Sequence, residues 1–159
     1  MNVPKKILEK NIQLKVFNIN DIPNNWQNLC VEAKRISEQA YAPYSKFRVG
    51  AAVLLEDESI IPANNQENAA YPSGLCAERT ALFFCSANFP NKKIIAVAIY
   101  SPDAINMLTP CGACRQVMLE YEQKQQRNII TILYYKDDVY VLNSVKDWLP
   151  FEFGSESLR

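Results

Sequence analysis

The chain has 159 residues, 48% of them apolar, which fits one folded domain with a proper core and excludes an extended disordered protein. Lysine plus arginine equals aspartate plus glutamate at 17 each, so no basic excess draws in a polyanion and a dedicated nucleic-acid binder is excluded. Histidine is absent and cysteine occurs five times, which removes Ser-His-Asp triads, Cys-His dyads and every histidine-bearing zinc motif together.

The N-terminal stretch MNVPKKILEKNIQLKV has no long apolar run followed by a small-residue cleavage site, so no signal peptide is expected. No stretch nears the roughly 18 consecutive apolar residues of a membrane span. An odd number of cysteines without a secretory signal points to reduced thiols and a cytoplasmic location.

In chain order, residues 1–23 read as an N-terminal extension. Ile12, Leu14 and Val16 alternate with Gln13 and Lys15, which predicts one strand there. From Asn24 the period becomes helical: Trp26, Leu29, Cys30, Ala33, Ile36 and Ala40 recur at offsets of three and four, ending before Pro43. Residues 49–55 predict a strand, Glu56 to Glu58 a turn, and Ser59 to Ala63 the hairpin partner. A second helix is expected from about Leu75 to Ala87. The apolar, β-branched run 93–100 predicts a buried strand. A third helix opens near Cys111, with Cys114, Val117, Met118 and Tyr121 on one face. Strands follow at 129–135 and 138–142, then a short helix with Ser144 as N-cap. This order predicts a three-layer α/β/α sandwich on a mixed central sheet of about five strands, with residues 24–159 as one domain.

The chemistry concentrates in Cys76-Ala77-Glu78 and Pro110-Cys111-Gly112-Ala113-Cys114. Zinc takes thiolate sulfur at tetrahedral corners, at about 2.3 Å. Cys111 and Cys114, three apart at a helix start, are separated by about 300° of rotation, so both can reach one metal at the helix end. Cys76 stands at the start of the preceding helix, and the positive ends of two helices favour thiolates. Cys76 and Glu78 are about 200° apart on a regular helix, so they share a site only if the metal lies off the helix end. Three thiolates with a fourth place open describe a catalytic zinc; a structural site is closed by four protein ligands. Glu78 then has the place of a proton carrier. Three thiolates leave surplus negative charge on the metal, and Arg79 can withdraw some by hydrogen bonding to a sulfur. By itself CxxC also fits a redox pair, and a closed structural zinc site is the other alternative.

These residues carry a resemblance. AYAPYSKFRVGAA (40–52), NQENAAYPSGLCAERTA (65–81), PCGACRQV (110–117) and the closing LPFEF (149–153) are similar to motifs of the small homotetrameric cytidine deaminase family, over residues 24 to 158. The resemblance implies one zinc per subunit on Cys76, Cys111 and Cys114, with Glu78 as proton shuttle. It implies that Asn65 and Glu67 bond the ribose 3′-hydroxyl, that Phe47 packs against the nucleoside, and that the Ala77 backbone contacts the base. It implies that Phe153 reaches a neighbouring subunit's pocket. The implied activity is hydrolytic deamination of cytidine and 2′-deoxycytidine in pyrimidine salvage, with a free nucleoside as substrate and no nucleic-acid or membrane partner.

A deaminase for a modified cytosine nucleoside such as blasticidin S is the nearest alternative; Asn65 and Glu67 favour an ordinary ribose. A non-catalytic zinc-stabilised module is the alternative of another class, and Glu78 beside an incomplete ligand set speaks against it. Cys30 and Cys85 fall on apolar helix faces and read as ordinary buried thiols. Departures from the family pattern are the turn Glu56-Asp57-Glu58-Ser59, Ala63-Asn64, and Gln66 at a usually apolar place.

Overall fold

The computed structural model describes residues 3–158. Six strands form one open sheet: β1 (Lys15–Asn18), β2 (Gly50–Leu55), β3 (Ile60–Asn64), β4 (Ile94–Tyr100), β5 (Ile130–Tyr135) and β6 (Asp138–Leu142). Their spatial order is β1-β6-β5-β4-β2-β3, with β4 and β5 parallel and every other pair antiparallel. Helix α1 spans Asn24–Ser37, α2 Ala77–Asn88 and α3 Gly112–Gln125. The single parallel pair requires a crossover, and α3 supplies it.

Each face of the sheet buries its own core, which makes the three layers. Leu29, Cys30 and Ala33 of α1 pack with Ala52, Leu54, Ala96, Ala98 and Ile132 on one face. Ala81, Leu82 and Cys85 of α2, with Met118 and Leu119 of α3, pack with Val53, Val97, Ile99 and Leu133 on the other. Alternate residues of β2 and β4 thus feed opposite cores, and both strands are apolar almost throughout because both faces are covered. At Gly50 the sheet and α1 approach so closely that a Cβ would lie 1.9 Å from the Ala33 carbonyl oxygen. Only glycine fits there. Burial raises the thiols of Cys30 and Cys85 to about 12, so both are inert core residues.

Element bounds differ from the expected ones in several places. The mixed sheet of about five strands is present with six, the sixth being β1, which adds to the free edge of β6. That strand covers Lys15–Asn18, and Ile12 and Leu14 lie outside it; all four strand residues are exposed. Backbone pairing with Asp138–Val141 sets its bounds, and the apolar alternation does not. Helix α2 begins at Ala77 rather than Leu75, since Leu75 is drawn into an antiparallel bridge with Gln66. Helix α1 likewise stops at Ser37, before Ala40. The short helix after Ser144 is a 3-10 turn over Val145–Trp148, capped by the Ser144 hydroxyl, which accepts from the Lys146 amide.

Candidate functional site

Cys76 and Cys111 are the N-cap residues of α2 and α3, both with extended backbone and neither using its side chain to cap. Their sulfurs are therefore free to turn away from the helix and face one another. Cys76 Sγ lies 3.8 Å from Cys111 Sγ, and Cys111 Sγ lies 3.5 Å from Cys114 Sγ. All three sulfurs fall within 4.8 Å of one another, so one ion can touch them all. Among the described residues this is the one group of three or more cysteines and carboxylates placed to hold a metal.

The electrostatics suit a cation. Hydrogen bonding with Cys114, joined by Arg79 and Cys111, lowers the Cys76 thiol to about 5. Cys114, buried and beside that thiolate, is pushed up in return. The Nη2 of Arg79 stands 3.7 Å from Cys76 Sγ, while its Nε is buried without a partner. Glu78 is only 4% exposed. Desolvation raises its carboxyl to about 7, with the Cys76 charge adding and the Cys114 thiol and Arg79 opposing. A carboxyl poised there gives and takes a proton at neutral pH. Three soft donors without a fourth protein ligand are the donor set of an open zinc site, and the group fits.

Beside Cys76 opens a cavity of about 400 Å³, walled by Tyr44, Ser45, Asn65, Glu67, Tyr71 and Arg79 among others. Asn65 and Glu67 share this wall, as alternate residues of an extended segment should. Both are held by backbone. Asn65 Oδ1 accepts from Val49 N–H at 2.8 Å, and its Nδ2 donates to the Phe47 carbonyl at 2.9 Å. Glu67 Oε2 accepts from the Tyr44 and Ser45 amides at 2.9 and 3.2 Å. With the Ser45 hydroxyl as the larger cause, these bonds hold the Glu67 carboxyl below its usual range. Oε1 takes neither of these amide bonds.

Not every expected residue meets in this cavity. Phe47, half-buried, and Phe153, 59% exposed, both lie outside its wall. Ala77, fully buried, is the first residue of α2, where amides lack intrahelical acceptors. Sequence reasoning missed Tyr44 and Tyr71, whose rings meet edge to face with centroids 6.2 Å apart at the cavity wall. Both lie inside the motifs quoted above, but nothing in their spacing marked them. Gln66 finds its account here: its Nε2 donates to Asn64 Oδ1, and its backbone bridges Tyr41 and Leu75.

An open mixed sheet with three sulfurs gathered at two helix ends defines a zinc-binding α/β protein. Residues 23–129 match the family model of the cytidine and deoxycytidylate deaminase zinc-binding region. Over 133 residues the chain is 48% identical to a cytidine deaminase of Halalkalibacterium halodurans, covering 84% of this chain and 97% of that one. It is 42% identical over 132 residues to a cytidine deaminase of Sporosarcina psychrophila, covering 83% and 93%. The crystal structure of a cytidine deaminase from Burkholderia pseudomallei superposes with a TM-score of 0.70 at 39% identity, over 79% of this chain and 97% of that one. The chain belongs to the cytidine and deoxycytidylate deaminase zinc-binding family.

Proposed function

We propose that this chain hydrolyses the exocyclic amine of free cytidine and 2′-deoxycytidine, giving uridine and 2′-deoxyuridine in pyrimidine salvage. The observation that carries the reading is the meeting of three cysteine sulfurs within 4.8 Å of one another, with the buried carboxyl of Glu78 in hydrogen-bonding reach of Cys114. Cys76, Cys111 and Cys114 would hold the zinc, which when bound activates water at neutral pH. Glu78 takes the proton of the attacking water and passes it to ring nitrogen N3. It then takes the proton of the hydroxyl now on C4 and gives it to the amine, which leaves as ammonia; a general acid/base glutamate of this kind serves zinc deaminases generally. A carboxyl raised to about 7 suits both directions of transfer. Arg79 draws charge from the Cys76 sulfur.

For the substrate, Glu67 Oε1 accepts from a ribose hydroxyl, and Asn65 stands beside it with its amide fixed by Val49 and Phe47. The Ala77 N–H meets the base. The balance of 17 basic and 17 acidic residues supports a free nucleoside over a polynucleotide.

The chain forms a homotetramer with shared sites, in which Phe47 closes on the nucleoside and Phe153 enters a neighbouring subunit's pocket. The exposure of Phe153, and of Phe83 and Phe84 on α2, supports this. Residues 24–159 are the catalytic unit and 1–23 an extension that lends β1. Five free cysteines support a cytoplasmic location; among the described residues no helix is long and apolar enough to cross a membrane.

Loss of cytidine absorbance on addition of the purified protein, followed to uridine by chromatography, is the test. Turnover of cytidine that stops on removal of zinc is expected. Zinc-loaded protein inert toward cytidine and deoxycytidine alike contradicts the reading.

A further inference from the structure

The three sulfurs of the cluster are not equally secured. Cys114 is fully buried and Cys76 half-buried, but Cys111 is exposed, and no cap hydrogen bond ties its side chain. Packing cannot hold Cys111 in place, so its position depends on the backbone of the turn that carries it. That turn is gripped by one side chain from inside the same helix. Arg115 Nε donates to the Pro110 carbonyl at 2.7 Å, the carbonyl of the peptide that joins Pro110 to Cys111. Its Nη2 donates to Thr109 Oγ1 at 3.2 Å, one residue further back. The Arg115 amide also makes the first helical bond, to the Cys111 carbonyl, at 3.0 Å. Both sides of Cys111 are thus fixed by Arg115.

The guanidinium is itself anchored. It lies over the Trp148 ring, 4.9 Å from the centroid, and Nη1 donates to the Trp148 carbonyl at 3.4 Å. The Trp148 indole nitrogen is buried with no hydrogen-bond partner. A buried donor without an acceptor is unfavourable, so packing and stacking on Arg115, and not the indole N–H, keep the ring where it is. The next residue, Gln116, donates from Nε2 to the Phe153 carbonyl at 2.9 Å. Two adjacent residues of α3 therefore tie the turn bearing Cys111 to the C-terminal segment.

We propose that Arg115 is a positioning residue for the metal centre, fixing Cys111 through the Pro110 carbonyl and resting on Trp148. The inference builds on the assignment of Cys76, Cys111 and Cys114 as zinc ligands. Lysine cannot replace the arginine fully, because one ammonium lacks the planar fork that reaches two acceptors while stacking on an aromatic face.

The test is zinc release from purified holo-protein into a chromogenic chelator, for the unaltered chain, Arg115→Lys and Arg115→Met, with the unfolding temperature of each measured alongside. Arg115→Met is expected to release zinc about 10- to 100-fold faster, the usual effect of losing a support of a metal ligand, with Arg115→Lys between the two. Cobalt substitution should show a shifted thiolate-to-metal absorption band in Arg115→Met. Release within twofold of the unaltered chain in both variants overturns the proposal, as does a lowered unfolding temperature with unchanged release, which marks a purely structural arginine. If Arg115→Met does not fold, the release rate and cobalt band of Arg115→Lys decide by the same criteria. An unaltered chain that binds no zinc overturns the ligand assignment itself, a result separate from unchanged release by a zinc-loaded variant.

Discussion

The sulfurs of Cys76 and Cys111, 35 residues apart in the chain, lie 3.8 Å from each other because each residue caps a different helix. An N-cap residue keeps extended backbone, so its side chain is free to leave the helix. Helices α2 and α3 lie on the same face of the sheet and share one core, which brings their N-termini together. The positive ends of both helix dipoles then favour thiolate at one point.

Glu78→Gln keeps the size of the side chain and removes its proton chemistry. Turnover is expected to fall by at least about 10²- to 10⁴-fold, with zinc content unchanged. Single-turnover assays and metal analysis of the same preparation check this. Near-normal turnover would remove Glu78 from the mechanism.

Arg79→Gln takes away the cation 3.7 Å from Cys76 Sγ. A loss of about tenfold or more in zinc affinity or in activity is expected. Chelator competition and steady-state rates measure the two; if neither changes, Arg79 has no hold on the metal's charge.

Glu122 is buried for a structural reason. Its Oε2 accepts from Ile129 N–H at 2.7 Å and Val145 N–H at 2.9 Å, and its Oε1 from the Ser144 hydroxyl at 2.6 Å. It joins α3 to the start of β5 and to the 3-10 turn after β6. Glu122→Leu strands these donors, and a stability loss on the order of 3 kcal/mol follows from the cost of orphaned buried groups. Urea unfolding of the zinc-loaded protein measures it, and zinc per folded chain should not change. A loss below about 0.5 kcal/mol, the ordinary scale of surface substitutions, would contradict this role.

Asp103 titrates below its ordinary value of 3.8 because the Arg48 side chain hydrogen-bonds it, with the Arg48 amide adding. A depressed carboxylate stabilises the fold fully above its unfolded pKa and loses that contribution as pH falls through the folded value. In Asp103→Asn the dependence of stability on pH below about pH 4 should flatten relative to the unaltered chain. Acid release of zinc is common to both proteins and cancels in the comparison. Identical pH profiles would show that Arg48 and Asp103 are not paired in solution.

Much of this was legible because it rests on local rules. Cys76, Cys111 and Cys114 announced themselves by spacing and by standing before helical periods, and β2, β4, β5 and β6 by apolar or β-branched runs. What was misread depended on partners distant in sequence. Leu75 looked like the first apolar residue of α2, but its pairing with Gln66 takes it out of the helix. Ile12 and Leu14 alternate as a half-buried strand would, yet no second layer covers them, and pairing with β6 begins only at Lys15. Tyr44 and Tyr71 reach the cavity from segments without periodicity, which no spacing rule detects. The grip of Arg115 on Pro110 and Trp148 needs the C-terminal segment folded back onto α3.

The most direct test of the central claim is the zinc content of the purified chain and of Cys114→Ala, by mass spectrometry under conditions that keep the metal bound. One zinc ion per unaltered chain and none in the variant is the predicted result. A metal-free unaltered chain, or a variant that keeps a full equivalent of zinc, contradicts the account.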